Sequence, residues 1–95
     1  RGHAAANLLP VVAANRVGRE VANSNASLQM DFYGSSFICD HKGKLLAEAD
    51  RDSTGVLVHS LDLATMGEER LTWGIYRDRR PDLYGALLTL DGRLS

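Results

Sequence analysis

The sequence predicts a layered α/β chain in which helices cover a sheet, and three observations carry that expectation. Val11, Val12, Ala13 and Ala14 are consecutively apolar, which suits a strand covered on both faces better than one facing water. "FYGSSFIC" has the aromatic and β-branched content of a strand, and "DHKG" with "KLLAEAD" continues it as a type I turn and a returning strand. Asp62 stands where it can cap a helix over about residues 63–73. About four strands and one and a half helices cannot cover both faces of such a sheet, so the missing layer is expected from outside these 95 residues.

The elements follow in order. "GHAAANL" favours helix through its alanines, with Asn7 helping to end it before Pro10 blocks continuation. The chain opens on Arg1 and not on methionine, inside this helical run and without a capping residue, so the helix reads as the last turns of a longer one. Pro10 is tolerable at the first position of the strand that follows. The polar run "GREVANSNASLQMD", Gly18 to Asp31, reads as a long surface loop of the kind that is often functional or touches another chain. After the hairpin, "RDSTG" signals a turn into a further strand, "VLVHSLDL". Leu63, Met66 and Leu71 give the final helix an apolar stripe, interrupted by Gly67. The ending, residues 75–95, is too charged for a core and too apolar to float free.

Composition removes several functions. Eleven basic and 12 acidic residues leave a net charge of −1, which attracts neither nucleic acid nor an anionic membrane. A single cysteine and three scattered histidines make neither a disulfide framework nor a zinc-ligand spacing, and fit a reducing, cytoplasmic setting. No apolar run approaches the roughly 20 residues that a spanning helix needs.

Among chemical candidates, Cys39 lies two residues from His41, a pairing that would suit a nucleophile and its base. The thiolate is disfavoured by Asp40, no helix start follows, and the turn breaks the shared strand face, so Cys39 reads as a small buried hydrophobe. Ser35 and Ser36 lack the G-x-S-x-G elbow and read as structural. His59, between Leu57 and Leu61 on one strand face, reads as a hydrogen-bonded core histidine. His3 and Asn7 share a helix face, a pairing common by chance, while Glu68 and Glu69 read as a solvated surface. Arg77, Arg79 and Arg80, with Asp78, Asp82 and Tyr84, suit an intersubunit ion-pair cluster better than an anion site.

"AAANLLPVVAANRVG", "FYGSSFICDHKGKLLAEAD" and "WGIYRDRRPDLY", in this order and spacing, resemble the carboxy-terminal third of the nitrilase superfamily of carbon-nitrogen hydrolases. The resemblance spans nearly the whole chain, and "RDRRPDLY" favours the branch that cleaves N-carbamoylputrescine. One detail departs: the family often has proline in the hairpin turn where this chain has His41. The resemblance implies an α-β-β-α sandwich extended by subunit association, with residues 1–74 as sandwich elements and 75–95 as an assembly tail. It also implies a glutamate, lysine and cysteine that act through a thioester to release ammonia, carbon dioxide and putrescine. Those three lie in segments upstream of every motif matched here, so the chain is expected to hold no catalytic residue, and no metal or organic cofactor is implied. Arg77, Arg79, Arg80, Asp82 and Tyr84 are the interface residues that follow, in a homo-oligomer acting on a small carbamoyl amine. Another carbamoyl amidase such as a β-ureidopropionase, or a non-enzymatic β-rich module that self-associates through residues 77–90, are the rival expectations.

Overall fold

The computed structural model describes residues 1–94. In chain order its elements are α1 (Gly2–Asn7), β1 (Val11–Ala13), β2 (Val17–Ala22), β3 (Asn25–Tyr33), β4 (Phe37–Cys39), β5 (Leu45–Glu48) and α2 (Leu63–Trp73), followed by two 3-10 turns, Pro81–Leu83 and Gly85–Leu88. The mixed helix-and-strand expectation holds. α1 closes on Leu8, which takes the left-handed conformation (φ 51°), one residue beyond the Asn7 that the sequence suggested.

β1, β4 and β5 form an antiparallel sheet in that order. Val12 lies opposite Ile38, and Ile38 opposite Ala47, so these three share a face, while Val11 and Cys39 share the other. The buried apolar set is small: Ala4, Leu8, Ile38 and Cys39. Val12 is 67% exposed, so β1 lacks the two-sided cover that its apolar run predicts. The strand "FYGSSFIC" is broken in the middle, because Gly34 (φ 62°) and Ser35 (φ 61°) both sit at positive φ and turn the chain between β3 and β4.

Two further expectations are corrected. Gly18 to Asp31 is not a loop: β2 and β3 pair antiparallel from Val17↔Tyr33 to Ala22↔Asn25. Leu28, Met30 and Phe32 alternate with polar residues, a period that the Asn and Ser content of the segment masked. "VLVHSLDL" forms no strand, for it finds no partner edge among the described residues, and Val56 and Val58 remain 87% and 86% exposed. α2 matches its expected span, with Asp62 accepting from the Thr65 N–H at 3.1 Å, yet none of its residues is buried.

The molecule is a slab of 55 × 39 × 14 Å with a radius of gyration of 20.1 Å, against about 12 Å for a compact chain of this length. Its accessible surface is 7864 Å², when a folded monomer of this mass exposes about 5,400 Å². Exposed large apolar side chains lie on β1, the β2–β3 hairpin, α2 and the tail.

Candidate functional site

Three places gather polar side chains. The first lies where β1 hands over to β2 and β3 to β4. Ser36 Oγ accepts the Asn15 N–H at 2.8 Å, Asn15 Nδ2 donates to the Gly34 carbonyl at 2.9 Å, and the Gly34 N–H donates to the Arg16 carbonyl at 2.9 Å. Ser35 N–H donates to the Asp50 carbonyl at 3.0 Å, which ties in the end of β5. The Asp50 carboxylate accepts the Ser53 and Asp52 N–H groups, and these hold its pKa below the usual carboxylate range. Ser35 and Ser36 are structural here, as their sequence context suggested. A cleft of about 450 Å³ opens beside this knot, between Val12, Ile38 and Leu57 on its apolar side and Asn15, Asp50 and Thr54 on its polar side.

The second place is the β4–β5 turn. Asp40 Oδ1 accepts the Lys42 and Lys44 N–H groups, each at 2.9 Å, and the Gly43 N–H returns to the Asp40 carbonyl at 3.0 Å. Burial works against the Asp40 charge, but the Lys44 and Lys42 amides prevail and lower its pKa. Gly43 sits at φ 83°, in the left-handed region that favours glycine, and a Cβ there would come tightly against the Arg1 carbonyl at 3.2 Å and Ala5 at 3.4 Å. His41 is buried, and its Nε2 pairs with Glu69 Oε2 of α2, while Lys42 Nζ reaches the same oxygen at 3.2 Å. Glu69 is therefore not the free surface carboxylate that the sequence suggested: His41 first, and Lys42 second, lower its pKa. His41 Nδ1 is buried without a hydrogen-bond partner among the described residues. The sequence signal for this site was the histidine standing where proline is common.

The third place is the tail. Arg77 grips Asp78 through two hydrogen bonds of 2.7 and 3.0 Å, and Arg80 grips Asp82 likewise at 3.1 and 2.8 Å, so both aspartates are held below their ordinary pKa. Arg79 stacks on the Tyr76 ring, 3.6 Å from its centroid, and donates to the Tyr76 carbonyl, while Tyr84 Oη accepts the Arg80 N–H at 3.0 Å. Arg77 and Arg80 thus pair within the chain, with aspartates one and two residues away. What stays unpaired is apolar: Leu83, Leu87, Leu88 and Leu90 are all exposed.

Cys39 has no exposed surface, in keeping with a small buried hydrophobe. His59 is exposed and its Nδ1 lies 2.8 Å from the Ser60 carbonyl, so it is no core residue, for the strand that was to bury it does not form. Asn7 Nδ2 donates to the His3 carbonyl at 2.9 Å, which closes the last turn of α1. Among the described residues no three His, Cys, Asp or Glu side chains converge as a metal site, and no helix is long and apolar enough to cross a membrane.

Comparison with known proteins gives this architecture a lineage. Residues 1–70 match the family model for carbon-nitrogen hydrolases. The chain is 50% identical over 95 residues to an N-carbamoylputrescine amidase from Arabidopsis thaliana, covering 99% of this chain and 32% of that protein. It is 47% identical over 88 residues to a citrullinase from Francisella tularensis, covering 93% of this chain and 30% of that one. The crystal structure of a carbon-nitrogen hydrolase from Helicobacter pylori G27 superposes with a TM-score of 0.78 at 41% identity, over 95% of this chain and 31% of the other. The chain spans about a third of the length of these relatives. It belongs to the carbon-nitrogen hydrolase family.

Proposed function

We propose that residues 1–95 are the carboxy-terminal part of a cytoplasmic carbamoyl amidohydrolase that converts N-carbamoylputrescine to putrescine, ammonia and carbon dioxide. The observation that carries this reading is the 50% identity to an N-carbamoylputrescine amidase across 99% of the chain. A citrullinase at 47% fits the same chemistry, since citrulline and N-carbamoylputrescine both end in a ureido group on an alkyl amine and differ in the carboxylate at the far end. The nucleophilic cysteine, with its glutamate and lysine, belongs to segments beyond this chain. The described residues supply the β1-β4-β5 layer, the knot at Asn15 and Ser36 that fixes its edge, and an arm.

Its open apolar surface supports a chain that completes its fold against the rest of a longer domain and against a second subunit. In this reading the tail is the subunit contact. Arg77, Arg80 and Asp82 arrive already neutralised, Arg79 and Tyr84 are held in place, and the exposed leucines supply the area that association buries. The test is ammonia release by the intact protein from N-carbamoylputrescine, citrulline and β-ureidopropionate in parallel. The highest kcat/KM is expected for N-carbamoylputrescine. Preference for citrulline would move the protein to the citrullinases, preference for β-ureidopropionate would favour a β-ureidopropionase, and no turnover of any ureido compound would overturn the assignment.

A further inference from the structure

We draw no further inference here: the strongest candidate, the cluster of His41, Lys42 and Glu69 between the β4–β5 turn and α2, carries nothing, because it fastens to the turn a helix that α1 also approaches at Asn7, and nothing in the structure shows a second function for it.

Discussion

Replacing Gly34 with alanine probes the junction on which the sheet depends. Gly34 takes φ 62°, and a Cβ there would lie 2.8 Å from Val17 Cγ1 and 2.9 Å from the Asp50 and Arg51 carbonyl oxygens. Two of those three neighbours are backbone, and the Asp50 carbonyl already accepts the Ser35 N–H, so the junction has little freedom to yield. The left-handed conformation costs an L-residue about 1–2 kcal/mol, and forced overpacking adds about 1–3 kcal/mol. Together they predict a loss of about 2–5 kcal/mol, which at about 2–4 °C per kcal/mol lowers the melting temperature by roughly 4–20 °C. The assay is a thermal melt of the intact protein followed by circular dichroism, beside Gly55→Ala as control. Gly55 has ordinary φ and open space around its Cβ, so its variant is expected to melt within about 2 °C of wild type. A Gly34→Ala protein that melts with wild type, or a control that falls as far, would refute the reasoning.

Cys39→Ser puts a hydroxyl where no side-chain surface reaches water, so stability is expected to drop by about 1–3 kcal/mol while ammonia release per folded enzyme stays within a few-fold of wild type. Glu69 has a folded pKa below its ordinary 4.5, so its contribution to stability is present above that value and disappears as pH falls through the lowered one. The stability difference between wild type and Glu69→Gln is therefore expected to be steady near neutrality and to shrink below about pH 4.5 in acid titrations of the melt. Arg79→Ala with Arg80→Ala frees the Tyr76 ring and the Asp82 carboxylate together, while Tyr84 keeps its bond from the main-chain N–H of residue 80, and the double variant is expected to show a lower oligomeric mass in light scattering. Unchanged mass would leave the tail as a surface ornament.

The parts of this fold that can be read from sequence are those governed by local rules. Asp62 marks the start of α2 because an N-cap needs only its own side chain and the amides that follow, and Asp40 and Gly43 mark their turn for the same reason. What depends on partners is not legible. The β2–β3 hairpin was hidden by its polar composition, since strands exposed on both faces carry no burial pattern. Conversely, "VLVHSLDL" has every strand signal and forms none, because a strand exists only against a neighbour. At the site level the buried, apolar character of Cys39 was readable from its flanking residues. The pairing of His41 with Glu69 was not, for it joins positions 28 residues apart and no spacing rule connects a turn to a helix surface.

In the function proposed above, the catalytic thiol lies outside these 95 residues, in a protein that hydrolyses carbon-nitrogen bonds. The most direct test of that claim is to inactivate the intact protein with iodoacetamide and map the modified peptide by mass spectrometry while activity is followed. Loss of ammonia release should track alkylation of a cysteine elsewhere in the polypeptide, slowed by N-carbamoylputrescine, with Cys39 unmodified until the protein is unfolded. Inactivation that tracks alkylation of Cys39, with substrate protecting it, would contradict the claim.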